Sequence, residues 1–459
     1  MVKAGFGKRI VTPPVGSGLV GYFEKRIAKG VKDDLYVRSI CLDCEDNPVF
    51  VVSADFCWIE ESVLERVKNM VEKKLGINNP GVVIHATHTH TGPLTGLTKD
   101  LVFTKDLPID RQYIDKLPSM ISEAIEDSYR TARNVLIGFK SVEVSGISFL
   151  RRYRMKDGSV ITNPVDRANI VEPVGEIDRT LNIMKILDEN GKLFCIAINF
   201  ALHPDTIGGE LISGDWPGMV VERISKFFDC NAIFFNGASG DINHINPFDS
   251  ETRSQKITEK IVSTIFEAVK KNVEDIECGS IEKVVFSQDI VEMPKRVITT
   301  EQIKQAKNDL QKLPSTNLRA IVARALLNQY EMKTEFISNR VTLLTIDNRF
   351  GAFFISGEPF SSIGIAIKKL MGYENRWVIG NCDGHAGYIP DEKAFRDAEE
   401  NKRIKGEEFP SVDVSESIGM EASYETSPIS CMVSSEKEKA IISGFEKLLK
   451  KHLQSFVEK

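Results

Sequence analysis

Three of the seven histidines in this 459-residue chain, His85, His88 and His90, fall within six positions. Neutral imidazole is the commonest protein ligand for a transition metal. The three sit in a stretch that begins as the apolar, β-branched run Val82-Val83-Ile84 and stops at Gly92-Pro93, the pattern of a buried strand entering a turn. If that strand stays extended to its end, side chains alternate, so His88 and His90 share one face and His85 takes the other. His88 and His90 are then the candidate pair. Three more polar residues stand where an apolar run stops: His203 before Pro204, Glu358 between Gly357 and Pro359, and Tyr388 after Gly387. In open α/β sheets ligands bind at the carboxyl ends of strands, so residues far apart in sequence can meet there. Two imidazoles and a carboxylate are the protein ligands of a catalytic zinc, with a position left for water. Bound zinc would bring that water's pKa to about 7 and polarise a substrate carbonyl. Glu358 also has a second reading, as a helix-start residue interacting with the dipole.

These residues need a scaffold that presents strand ends. Residues 36–42 and 49–54 read as a hairpin about Glu45-Asp46-Asn47-Pro48, residues 60–75 as a helix, 81–90 as the strand described above, and 112–132 as a second amphipathic helix. The connection at 94–115 is polar and irregular, and strands follow near 137–150. A second hairpin spans 181–187 and 193–201, a helix opens at Ser213-Gly214-Asp215-Trp216-Pro217 and runs to Phe228, and the short strand 232–235 empties into a glycine-bearing loop, 236–244. That loop lacks the lysine of a phosphate-binding loop. Helices and strands therefore alternate, which predicts an α/β class, a layered domain with mixed β-sheets flanked by helices. No repeat or low-complexity linker interrupts residues 1–459, so one catalytic domain is expected, with a helical insertion at about 295–337. Residues 151–158 are strongly basic and read either as a solvated loop or as the source of a carbonyl- or carboxylate-binding arginine. Residues 391–411 read as a surface loop or short helix, and 436–453 as a closing helix.

Composition removes other classes. With 59 basic and 65 acidic residues and no cluster of Lys and Arg interleaved with aromatics, a nucleic-acid partner is not expected. The first residues lack a charged head followed by an apolar core, and no run of about 18 apolar residues occurs, so no transmembrane segment is expected and a cytoplasmic location is. The eight cysteines are scattered, which predicts reduced thiols. Cys41 and Cys44 have no second pair to complete a four-thiolate site and read as packing residues.

The chain resembles the neutral, non-lysosomal ceramidases and their shorter relatives. The likeness starts at Ala4-Gly5-Phe6-Gly7 with Ile10-Val11-Thr12-Pro13-Pro14, and is most specific at Thr87-His88-Thr89-His90-Thr91-Gly92-Pro93. It returns at Asn199-Phe200-Ala201-Leu202-His203-Pro204, at Ser213-Gly214-Asp215, at Gly240-Asp241, at Gly357-Glu358 and at Gly387-Tyr388-Ile389. The resemblance implies lipid metabolism, hydrolysis of an amide, and a zinc held by His88, His203, Glu358 and Tyr388, with His90, Arg151 and Tyr424 around the scissile carbonyl. There are departures. Where the ceramidases carry serine in Gly-Asp-Val-Ser-Pro-Asn, this chain has Asn243, which leaves water activated by the metal as the attacking group and Asn243 as a hydrogen-bonding residue toward substrate. Leu150 replaces the asparagine that usually precedes the active-site arginine. The additional C-terminal β domain is missing as well, so ceramide itself is not the expected substrate.

The expectation is thus a Zn2+-dependent amidohydrolase acting on a small-molecule or lipid-like N-acyl substrate. His90 is the candidate to move a proton to the leaving nitrogen, and Tyr388 with Arg151 to stabilise the oxyanion. His85 and His385 lie close in sequence to the proposed ligands, as direct participants, as holders of a second metal, or as packing residues. His244 and His452 read as structural or exposed. Two other readings stay open: a metal-dependent esterase or hydrolase of a small polar substrate, and a metal-binding protein without turnover.

Overall fold

A strand that is apolar on both faces has to lie between two layers, and this chain has several. The computed structural model describes residues 2–22, 24–96, 107–406 and 424–457. Its amino-terminal half supplies β1 (Lys3–Ile10), β2 (Tyr36–Cys44), β3 (Asn47–Ala54), α1 (Glu61–Leu75), β4 (Gly81–Ala86), α2 (Arg111–Arg130), β5 (Arg133–Glu143), β6 (Thr180–Asp188), β7 (Leu193–Phe200), α3 (Asp215–Phe228), β8 (Asn231–Asn236) and α4 (Ile257–Val273). The strands form one eight-stranded sheet in the order β8-β7-β6-β5-β1-β2-β3-β4. At its two ends β3 and β4 pair in parallel, as do β7 and β8, while the strands between them are antiparallel. The sheet is mixed, as the alternation of hairpins and helices implied.

A second sheet, β9 (Val284–Pro294), β10 (Phe336–Ile346), β11 (Phe350–Ile355) and β12 (Asn375–Ile379), runs in that order, with β11 and β12 parallel. Period-two alternation sorts the layers. On β3, Phe50 and Val52 pack under α1 and α2, whereas Val49 and Val51 face the second sheet. On β7, Ile196 and Ile198 lie under α3 and α4, whereas Cys195 and Ala197 meet Phe350, Phe354 and Trp377 of the second sheet. The far face of the second sheet, including Leu343, Phe353 and Ile355, is covered by α7 (Ser361–Leu370) and α9 (Lys437–Val457). The result is four layers, helix, sheet, sheet and helix. Each fully buried Val, Leu, Ile or Phe contributes roughly 1.5–3 kcal/mol, so these three interfaces outweigh the exposed ion pairs, worth about 0–1 kcal/mol each.

The helices expected near 295–337 are α5 (Thr300–Lys312), which begins with a Thr299/Gln302 capping box, and α6 (Leu318–Glu331). They lie between the adjacent antiparallel strands β9 and β10, and Gln329 of α6 donates to the Pro428 carbonyl at 2.6 Å. Two stretches that read in two ways are decided by the structure. The stretch at 391–411 opens with a full helix, α8 (Glu392–Lys405), because Asp391 caps it and Asp397 and Asn401 are buried against Arg152, Arg154 and the Val160 backbone. The basic stretch 151–158 is no solvated loop: Arg152–Met155 is a strand, and Arg151 and Arg152 are each only 2% exposed, since both guanidinium groups have buried carboxylates opposite. Part of the irregular connection (97–106) and part of the acidic and basic stretch (407–411) lie outside the described residues.

Candidate metal centre and active site

The carboxyl ends of β4, β7 and β11 and the residues beyond β12 converge where the two sheets meet. His85 bridges to Cys382, Ala86 N–H donates to Asn381 O, and Gly380 N–H donates to Asn236 O. The strand carrying the histidines ends earlier than its residue types suggest, at Ala86 instead of His90. Beyond it Thr87 N–H turns to Ala54 O and His88 N–H to Phe56 O, and His88 takes a left-handed φ of 74°. Alternation therefore does not bring the pair together; the turn does, with Nε2 of His90 3.4 Å from Nε2 of His88. Alternation does hold for His85, which points between the sheets. Its Nε2 accepts from Asn236 N–H at 2.9 Å, and its Nδ1 lies 3.2 Å from Ser53 Oγ.

Nδ1–H of His88 donates to the Cys57 carbonyl at 2.7 Å, and Nδ1–H of His203 donates to the Ser239 carbonyl at 3.3 Å. Such bonds fix the tautomer and leave Nε2 as a lone pair. Those two Nε2 atoms stand 3.1 Å apart, and Glu358 Oε2 lies 3.1 Å from the first and 3.8 Å from the second. All three side chains are buried, and Glu358 Oε2 has no hydrogen-bond partner. With both Nδ1–H groups committed, these three atoms face one another across the cluster, an arrangement that holds one cation, either a proton on His88 Nε2 or a metal ion in its place. Ligands of tetrahedral zinc at about 2.0–2.2 Å are roughly 3.3–3.6 Å from one another, which these separations bracket. Cys57 with His88 and His90 forms a second group of potential ligands, but Cys57 Sγ lies 3.7 Å from His88 Nδ1, the nitrogen committed to a carbonyl.

The electrostatics agree. Burial disfavours a charged His88, yet the Glu358 carboxylate outweighs it and lifts its pKa well above 6.5. Burial, then the charge on His88, push His203 down to about 3 and His90 well below its ordinary value. Burial would raise Glu358, but His88 and its hydrogen bond hold it below the usual carboxylate range. One positive charge is favoured here, between the carboxylate and the imidazoles.

Glu358 and Tyr388 are direct partners in a short parallel ladder, Glu358–Pro359 against Tyr388–Ile389, so the strand end sets both at once. Helix α7 begins only at Ser361. Burial, with Glu358 and Tyr424 nearby, drives the Tyr388 phenol pKa well up, and its hydroxyl is 3.3 Å from that of Tyr424. Arg151 lies against both rings, 5.3 and 5.0 Å from their centroids. Its Nε donates to Glu425 Oε1 at 3.0 Å and one terminal nitrogen donates to Gly240 O at 2.6 Å. Asn243 is buried, donates to Asn163 Oδ1 and accepts from Ile245 N–H, so its amide shapes the turn beside Arg151. His385 stacks on Trp58 at 4.7 Å. His244 is buried against Asp205 at 3.0 Å, and His452 sits between Ser287 and Thr345. Residue types did not reveal Cys57, Ser239 or Glu425. The first two act through backbone carbonyls, and Glu425 carries no periodic signal.

His85 carries a testable consequence. Burial keeps it unprotonated down to about pH 3, against 6.5 ordinarily. Between those values the unfolded chain binds the extra proton, so stability rises with pH and is lost on acidification at about 1.4 kcal/mol per pH unit. Urea unfolding at pH 7 and pH 5 should show a smaller difference for His85→Gln than for wild type; equal differences would remove this account.

A layered α/β fold with a buried histidine–carboxylate centre at its strand ends is the architecture of a ligand-binding or hydrolytic site. Residues 3–232 match the family described as neutral/alkaline non-lysosomal ceramidase, N-terminal, so the chain belongs to that family and is a hydrolase of the ceramidase kind. The neutral ceramidase of Pseudomonas aeruginosa shares the fold, with a TM-score of 0.69 at 15% identity over 97% of this chain and 74% of that one. A ceramidase solved in complex with C2 superposes with a TM-score of 0.67 at 14% identity and the same coverages. No curated protein matches the sequence. No described helix is long and apolar enough to cross a membrane.

Proposed function

We propose that the chain is a zinc-dependent amidohydrolase that cleaves an N-acyl bond, working as one catalytic unit over residues 1–459. The observation that carries the reading is the convergence of His88 Nε2, His203 Nε2 and Glu358 Oε2 in one buried cluster that favours a single positive charge; Tyr388 completes the ligand set. Zinc bound there would supply a nucleophilic water near neutral pH and a Lewis acid for the carbonyl. The protein's own groups do the rest. His90, kept neutral by burial and by the positive charge favoured at His88, accepts a proton at Nε2 and passes it to the leaving nitrogen. The Tyr388 hydroxyl, kept protonated by burial and by the carboxylate beside it, donates to the developing oxyanion. Arg151 holds the two tyrosine rings and lends its charge, and Asn243 holds the turn beside it. His85 and His385 serve as packing and orienting residues. The substrate is a small-molecule or lipid-like N-acyl amine, and the protein acts in the cytoplasm.

The test is turnover of N-acyl amides of short and long chain, with the matching esters, by protein of measured metal content. Cleavage of amides over esters, lost on chelation and restored by zinc, is expected; preference for esters would favour the esterase reading. Gly21 gives an independent check on His90. Its φ is 107°, and a β-carbon there would lie 2.6 Å from His90 Cγ, so Gly21→Ala must displace the ring. A fall in kcat/KM of about a hundredfold with zinc content unchanged is expected. Unaltered kinetics would exclude His90 from the reaction.

A further inference from the structure

Behind Tyr388 lies a pair that the proposed chemistry does not use. Lys437, at the start of α9, and Cys431 are both wholly buried, and Lys437 Nζ lies 3.0 Å from Cys431 Sγ. The same Nζ donates to the Tyr388 carbonyl at 2.8 Å. Tyr388 N–H donates to the Ser430 carbonyl at 2.8 Å, and Gly387 pairs with Cys431 in an antiparallel bridge. Cys431 belongs to the same buried apolar cluster as Ile389, Val433 and Phe445, and the lysine head stands 5.2 Å from the centre of the Phe395 ring, while Arg296 and Gln329 reach Cys431 only at its carbonyl. A lysine taken fully out of water is rare and costly unless well paired. Here its partners are one carbonyl and a sulfur, a weak acceptor, where a carboxylate would serve a purely structural purpose better.

We propose that Cys431 and Lys437 form a covalent oxidation site, in which one oxygen atom becomes bonded to both Sγ and Nζ. Dioxygen is the oxidant, a small apolar molecule suited to apolar packing. Lys437 reacts as the neutral amine, its ammonium proton first leaving to solvent; the S–H bond and one N–H bond of the amine then break, and an S–O and an O–N bond form. One atom of dioxygen becomes the bridge, and the other leaves as water with the two hydrogens released. Sulfur and nitrogen each give up two electrons and dioxygen takes up four, so the step balances. The bridge removes the charge from Lys437, so its bond to the Tyr388 carbonyl changes from charge-assisted to ordinary. The oxidation state of this pair thereby reaches the backbone that carries Tyr388.

The measurement is the intact mass of the full chain, purified under nitrogen with a thiol reductant and then divided between nitrogen and air-saturated buffer. The aerated folded protein should gain the mass of one oxygen less two hydrogens, lose it again on reduction, and yield a proteolytic fragment in which the peptides of Cys431 and Lys437 are joined. Cys431→Ser should gain nothing, and the remaining thiols serve as internal controls. Absence of the gain in wild type would overturn the proposal. So would oxidation of Cys431 to a sulfinic or sulfonic acid with Lys437 unlinked. The readout is covalent structure in wild-type protein, so it stands whether or not the chain proves to be a zinc amidohydrolase.

Discussion

His88→Ala is expected to leave the purified protein without its zinc and to lower amide hydrolysis on the order of a thousandfold, the rate equivalent of about 4 kcal/mol of transition-state stabilisation. The size follows from position. His88 Nε2 is the atom closest to all the others in the cluster, 3.1 Å from His203 Nε2, 3.1 Å from Glu358 Oε2 and 3.4 Å from His90 Nε2. Its loss unmakes the cluster as a whole. Metal content by plasma emission and kcat/KM on the same preparation are the two readings, with circular dichroism to establish that the fold persists. Full metal retention and near wild-type turnover in a folded variant would refute the centre. The orienting bond offers a finer control. Nδ1–H of His88 is held by a backbone carbonyl, which no side-chain substitution removes, so Cys57→Ala should keep both metal and activity.

The second large effect is on stability. Arg151 and Glu425 are 2% and 0% exposed and bonded at 3.0 Å, with Thr162 Oγ1 also within bonding distance of both carboxylate oxygens. Arg151→Met leaves a carboxylate buried without its cation, which costs about 3–5 kcal/mol. Urea unfolding measures this, and the double variant Arg151→Met with Glu425→Gln should recover much of the loss, because the stranded charge is gone. Catalysis should not recover, since the cation between the Tyr388 and Tyr424 rings is still missing. A single variant within about 1 kcal/mol of wild type would mean that water reaches Glu425 and that the pair does little; that range is what exposed pairs contribute.

The order of apolar runs and turn signals sufficed to predict an α/β class with mixed sheets, because strand and helix periods are local properties that each segment carries by itself. Glu358 stood out for the same reason, as a polar residue just after an apolar run that has to stop; Tyr388 lies nine residues beyond β12, and the short ladder with Glu358 is what sets it there. Local pattern alone could not give the arrest of β4 at Ala86. Whether Thr87 and His88 continue the ladder depends on the Ala54 and Phe56 carbonyls, 33 and 32 residues earlier, at the end of β3 and just past it. The basic stretch after Leu150 stayed open between a solvated loop and carboxylate-binding arginines for the same reason: Glu425 and Asp397, which bind them, lie more than two hundred residues later. By itself, then, the sequence determined which residues have the chemistry to hold a metal and which kinds of element carry them. Only the tertiary structure decided which nitrogen of each imidazole faces the centre, which carboxylates neutralise the buried arginines, and that a lysine and a cysteine meet behind Tyr388, because each depends on contacts between segments whose distance in the chain leaves no periodic trace.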